Sequence, residues 1–249
     1  MNKTIEILIK EVKKVIKGKD DKIRLVVTAI LANGNILLED NPGLGKTVPA
    51  KTLSQAMQID QKRIQFTPDT MPTDITGYSV MEKVGGEYQR RFQAGPVFTN
   101  ILLADEINRT SGKTQAALLE SMEEKRVTVD GETLELPDPF VVIATQNPNT
   151  SVGTQQLPDA QLDRFLIKLS MDYPDIDSEV EMLREMTGGT QGQVKAVMTG
   201  DEIIRMKDAV KNIYVDEKIA QYIVKISNYT RSIEDKVAVG ISPRGSKLS

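Results

Sequence analysis

Leu38-Glu39-Asp40-Asn41-Pro42-Gly43-Leu44-Gly45-Lys46-Thr47 is the stretch on which the reading of this chain turns. It follows the apolar run Ile36-Leu37-Leu38, which reads as a short buried strand, and it precedes residues able to continue as a helix. Glycines, a lysine and a threonine at such a junction form a cradle for phosphate. The glycine-rich turn lets backbone N–H groups converge on phosphate oxygens, and the helix N-terminus adds its positive dipole end. Lys46 reaches the outer phosphates, and the Thr47 hydroxyl is placed to ligate Mg²⁺. The position where the usual pattern has its first glycine holds Asp40 or Asn41. A lone Gly-Lys-Thr is a weak signal, and a turn followed by a helix cap is the plain alternative, so the rest of the chain has to decide.

The 249 residues suffice for one large or two small domains with a real core. Lys+Arg of 32 against Asp+Glu of 35 gives a net charge of -3, so no global basic field points to nucleic acid, although a local patch stays open. Cysteine and histidine are both absent. Disulfides, thiolate and imidazole metal sites, Ser-His-Asp and Cys-His catalysis and histidine pH switching are thereby excluded. Chemistry has to run on Asp, Glu, Lys, Arg, Ser, Thr, Tyr, Asn and Gln, which suits hydrolysis of a magnesium nucleotide, where positioning and electrostatics dominate. The charged amino terminus (Lys3, Glu6, Lys10, Glu11) contains no apolar run long enough for a signal peptide or a membrane span, and a cytoplasmic location is expected.

Outward from the loop, Ile5, Leu8, Ile9, Val12, Val15 and Ile16 have helical spacing and predict an amphipathic helix ending near Gly18. A second helix, capped by Asp20-Asp21, is expected to stop at Asn33-Gly34. Downstream, Leu53 and Met57 share a helix face, and Arg63 to Phe66 reads as a strand. Residues 67–100 lack a helical period, and Tyr78–Val84 and Glu87–Phe92 about Gly85-Gly86 predict a hairpin within them. Ile101-Leu102-Leu103-Ala104 is a fully apolar strand followed at once by Asp105-Glu106. Two carboxylates at the end of a buried strand are costly unless they serve a cation or a water. A strand simply emerging into solvent is the alternative. With the phosphate loop upstream, Asp105 suits Mg²⁺ and Glu106 suits polarising the water that attacks the γ-phosphate.

Ser111 or Thr110 is expected to cap the next helix, and Arg126–Leu136 alternates about Asp130-Gly131 as a second hairpin. Val141–Ala144 is another buried strand, ending in Thr145-Gln146-Asn147-Pro148. An amide there suits a γ-phosphate or water contact, and equally a turn before Pro148. Leu166–Leu169 makes a further strand, and Tyr173-Pro174-Asp175 reads as a linker. Beyond it, Ser178 with Glu181 and Thr199 with Glu202 read as capping boxes, and a third helix is expected from about Asp216. Alternating strands and helices up to about residue 170 predict a parallel sheet with helices on both faces, then a small helical domain.

In this order the motifs resemble the AAA+ ATPases and, within them, the MoxR family. Asp40–Thr47 is similar to the family's Walker A, and Ile101–Glu106 with Ile107-Asn108-Arg109 looks like its Walker B. Thr114-Gln115 and Leu118–Glu124 resemble the helix that follows. Ala144–Pro148 resembles sensor 1, with Asn147 the sensing amide, and Leu157–Phe165 resembles the arginine-finger segment. That likeness would place Arg164 in a neighbouring subunit's site. Gly240-Ile241-Ser242-Pro243-Arg244 resembles sensor 2, making Arg244 the lid arginine.

The resemblance implies an α/β P-loop NTPase fold. A parallel five-stranded sheet would span 1–172, with a helix-2 insert at about 67–100 and a pre-sensor-1 hairpin at about 126–136. A helical lid, 173–249, would follow, incomplete at its end because family members continue with further lid helices. It implies ATP held by Asn41, Pro42, Gly43, Leu44, Gly45, Lys46, Thr47 and Val48. Mg²⁺ would sit on Thr47 and Asp105, with catalysis by Glu106, Asn147, Arg164 and Arg244. It further implies a ring of like subunits, usually a hexamer, that remodels or matures a client, often a protein with a von Willebrand factor A domain. Pro49 and the short lid leave a nucleotide-binding scaffold with weak or no hydrolysis as an alternative. A chelatase motor subunit or nucleic-acid translocase is another, the latter disfavoured by the acidic balance.

Overall fold

A computed structural model describes residues 2–39, 48–147, 156–173, 175–188, 193–233, 237, 239–243 and 245. Asn41 to Thr47, including the expected phosphate-binding Lys46 and magnesium-binding Thr47, and Arg244 lie outside the described residues.

Helix α1 (Asn2–Val12) and helix α2 (Asp20–Leu31) lead into strand β1 (Ile36–Glu39). Asp20 and Asp21 occupy the first turn of α2, where they favour the positive end of its dipole; its N-cap is Lys19, which makes no side-chain cap bond. After α3 (Val48–Ala56), which runs on through the buried Pro49, come β2 (Gln61–Gln65), α4 (Pro72–Thr76) and the hairpin β3 (Gly77–Val84) with β4 (Glu87–Ala94). Then follow β5 (Ile101–Asp105), a 3₁₀ turn (Ile107–Arg109), α5 (Gly112–Glu124), the hairpin β6 (Arg126–Val129) with β7 (Glu132–Glu135), β8 (Val141–Gln146), α6 (Asp159–Leu162) and β9 (Ile167–Leu169). Both expected hairpins form, about Gly85-Gly86 and Asp130-Gly131. The insert also contains α4, which its proline-rich sequence conceals. Gly77, at φ +92°, closes the base of that insert; a Cβ there would fall 2.2 Å from the Gln93 carbonyl oxygen.

The five-stranded sheet has the order β2-β5-β8-β1-β9, and every pairing is parallel. Parallel strands need covered faces, and the side-chain alternation supplies two cores. Ile36, Leu38, Ile101, Leu103, Val141 and Ile143 face α1, α2 and α3. Leu37, Leu102, Ala104, Val142 and Ala144 face α5, Ile75 of α4, Phe66 and Phe140. At the base of the sheet, Asn35 Oδ1 accepts the Val142 N–H at 2.9 Å, which fixes the register of β1 against β8.

The remaining helices are α7 (Ile176–Gly188), α8 (Gly200–Lys211) and α9 (Glu217–Ser232). The expected Ser178–Glu181 capping box does not form. Asp175 instead accepts the Ser178 N–H at 2.8 Å, one residue ahead of the helix, and Glu181 pairs with Lys17. The Asp175 carboxyl is held below the usual aspartate range, chiefly by that backbone N–H. The Thr199–Glu202 box is present, and Asp216 caps α9. Met198, just before α8, and Ile203, on it, are buried in the core that α1–α3 share with the sheet. On α8, buried Lys207 reaches Asp138 at 2.6 Å, ahead of β8.

Candidate active site

The parallel order brings the carboxyl ends of β1, β2, β5 and β8 to one edge of the sheet, where ligands of open α/β sheets bind. Asp105 ends β5 and is only 8% exposed, so its charge needs compensation on the spot. Arg63 of β2 provides it, with Nε at 3.2 Å and Nη2 at 2.6 Å from Oδ2. The Thr145 hydroxyl of β8 donates to Oδ1 at 2.5 Å. The same hydroxyl accepts the backbone N–H of Glu106 at 2.9 Å, so one buried side chain fixes both acids.

Glu106 has a left-handed backbone, φ 58° and ψ 48°. A residue with a Cβ adopts that region at a cost of roughly 1–2 kcal/mol, which the surrounding contacts have to offset. Its Oε2 accepts from Gln65 at 3.0 Å and from Arg109 at 2.8 Å, and the Asn147 amide reaches its Oε1 at 3.4 Å. Asn147 is itself steadied by Asn108, whose Nδ2 donates to its backbone carbonyl at 3.3 Å. Beside them, Gln146 donates to Glu39 Oε1 at 2.6 Å, and Lys168 of β9 pairs with the other Glu39 oxygen at 2.8 Å. That chain ties β1, the strand before the expected phosphate loop, to β8, the strand before Asn147, and to β9.

Of the expected site residues that are described, Asp105, Glu106 and Asn147 are brought together. Val48, the last residue of the expected phosphate loop, opens α3 and is partly exposed. Arg164 stands apart: its Nη1 donates to the Leu119 carbonyl at 3.0 Å and pairs with Glu123 at 2.9 Å. It lines a cleft of about 600 Å³ with Asn33, Gly34, Lys125 and Pro243, at the amino-terminal side of β1 and β9.

Arg63, Gln65 and Thr145 are site residues that sequence patterns did not single out. The available signal was polar residues at i and i+2 on a predicted strand, which share one face. Among the described residues no group of three or more acidic side chains could by itself enclose a metal. One buried carboxylate with a cation already drawn to it suits Mg²⁺, which is usually held by one or two carboxylates together with substrate phosphates. None of the described helices is long and apolar enough to cross a membrane.

The profile of the ATPase family associated with various cellular activities (AAA) matches residues 35–167. The chain is 46% identical over 240 residues to the uncharacterized protein YeaC of Bacillus subtilis, covering 96% of this chain and 74% of that protein. It is 39% identical over 251 residues to Chaperone MoxR1 of Mycobacterium tuberculosis, covering 98% and 66% respectively. The crystal structure of a candidate ATPase from Cytophaga hutchinsonii matches at a TM-score of 0.87 and 36% identity, over 99% of this chain and 77% of that one. The chain thus spans about two thirds to three quarters of the length of these relatives. With the parallel sheet, the paired acids and these likenesses in hand, the chain belongs to the AAA ATPase family and, within it, to the MoxR group.

Proposed function

We infer that the chain binds Mg-ATP at the carboxyl edge of its sheet and hydrolyses it as one subunit of a ring that remodels or matures a client protein. The observation that carries this reading is the meeting of Asp105 and Glu106, at the end of β5, with Asn147, just past the end of β8, the strand that pairs with β1 and leads to its expected phosphate loop. Asn41 to Val48 would hold the phosphates, with Lys46 on the outer ones, and Thr47 and Asp105 would hold the Mg²⁺. When bound, Mg²⁺ neutralises charge that develops on the transferred phosphoryl group. Glu106 orients the attacking water and takes its proton at a carboxylate oxygen, and Asn147 fixes the carboxylate and the γ-phosphate in line.

Arg164 is bonded to the far half of α5, not to Asp105 or Glu106. That placement supports its serving a neighbouring subunit's site, with Arg244 acting from the lid. A finger supplied in trans calls for a closed head-to-tail ring of like subunits, and the family resemblance implies that it is a hexamer. One relative is named a chaperone, which supports a protein client; a von Willebrand factor A domain protein is the partner class proposed here, in the cytoplasm.

A second reading, nucleotide binding without turnover, is favoured by the occupation of both carboxylates by Arg63, Gln65 and Arg109. Steady-state phosphate release decides between the two. Turnover that rises with protein concentration as rings form, and that Glu106→Gln abolishes, supports hydrolysis. Tight ATP binding with no release at any concentration supports the second reading.

A further inference from the structure

We propose that Arg63 is a built-in cation that holds the Asp105 carboxylate until a divalent cation takes its place, and that its departure loosens the hold on Glu106. This rests on the reading of Asp105 as the metal-side carboxylate given above. Arg63 lies on the edge strand β2 with half its side chain in solvent, yet both its Nε and Nη2 reach in to the same Asp105 oxygen. A guanidinium does not shed its charge, so it cannot yield by deprotonation. Two cations on one buried carboxylate repel each other, and the two occupancies therefore compete. An arginine on an exposed edge has room to swing outward.

The same guanidinium reaches the second acid. Arg63 Nη2 donates to Gln65 Oε1 at 2.8 Å, and the Gln65 amide nitrogen donates to Glu106 Oε2 at 3.0 Å. While its oxygen is held, the amide is aimed at Glu106. Once Arg63 leaves, the amide turns freely and Glu106 loses one of its donors, retaining Arg109 and Asn147. Arrival of the cation at one carboxylate thereby readies the other, with no proton or electron transferred. Arg63 acts through Asp105 and Gln65 and is a positioning residue.

The test compares the wild type with Arg63→Met and Arg63→Lys in two measurements at constant ionic strength. One is the binding of a fluorescent ATP analogue titrated with Mg²⁺, and the other is the melting temperature against Mg²⁺ alone. Loss of a charge-assisted bond to the competing group lowers the Mg²⁺ concentration for half-maximal effect by about tenfold in Arg63→Met. Arg63→Lys falls between that variant and the wild type. Arg63→Met also melts lower without metal, and Mg²⁺ alone restores it. An unchanged or raised Mg²⁺ requirement in Arg63→Met overturns the proposal, as does an unchanged one in Arg63→Lys should the Met variant fail to fold. If the wild type binds no nucleotide at all, the functional reading falls, and the Mg²⁺ melting series still decides the role of Arg63.

Discussion

Glu106 sits in a left-handed backbone conformation with its N–H on Thr145 and its carboxylate between Gln65, Arg109 and Asn147. A side chain held this firmly at the expense of strain supports the proposed role of Glu106 in hydrolysis. Glu106→Gln keeps the geometry and removes the proton acceptor, so turnover falls by about 10²–10⁴-fold while ATP binding persists. Phosphate release and binding of a labelled nucleotide check the two halves separately. Thr145→Val keeps the shape but leaves the Glu106 N–H and one Asp105 oxygen unpaired in a buried place. It destabilises the fold by roughly 1–3 kcal/mol, read by denaturant unfolding, and lowers turnover as well. The two acids were legible because carboxylates directly after four apolar residues demand a reason. Thr145, Arg63 and Gln65 were not, because their roles depend on which strands lie side by side. Cross-strand register of this kind leaves no mark on a single strand's sequence.

At the scale of elements, the apolar runs Ile36–Leu38, Ile101–Ala104 and Val141–Ala144 and the two Gly-containing turns were readable directly, since buried parallel strands and tight hairpins each have a local signature. Less legible was how the later helices attach. Met198 and Ile203 enter the first core, and Lys207 is buried against an exposed Asp138. Asp138→Ala strands that ammonium and destabilises by about 1–3 kcal/mol. Lys207→Met, which removes the buried charge and keeps the length, costs less, and equilibrium unfolding of the two variants shows the order.

Glu11 makes a second attachment: its carboxylate accepts from Lys14 and from the Lys195 backbone N–H, and these bonds hold its pKa below the ordinary glutamate value. A depressed folded pKa contributes stability that is present above the unfolded value, about 4.3, and is lost as pH falls through the folded one. Stability measured downward from pH 6 therefore declines less steeply in Glu11→Gln than in the wild type.

For the whole molecule, Asp105, Glu106 and Asn147 meet at one edge of the sheet while Arg164 is bonded to α5, a separation that supports the proposed completion of the site by a neighbouring copy. The order of motifs along the chain made the family legible, and the sheet order explains why Asp105 and Glu106 meet the distant Asn147. The direction of Arg164 was not legible, because a finger and a helix brace share one sequence; here it braces α5 through Leu119 and Glu123. Phosphate release by a mixture of Glu106→Gln and Arg164→Ala subunits tests the shared site most directly. Each variant alone is inactive, and random mixing pairs an intact Glu106 with a neighbour's intact Arg164 at about a quarter of interfaces, restoring turnover in that proportion. A mixture as inactive as its two parents, in rings of normal size, would contradict a site completed by the neighbouring subunit.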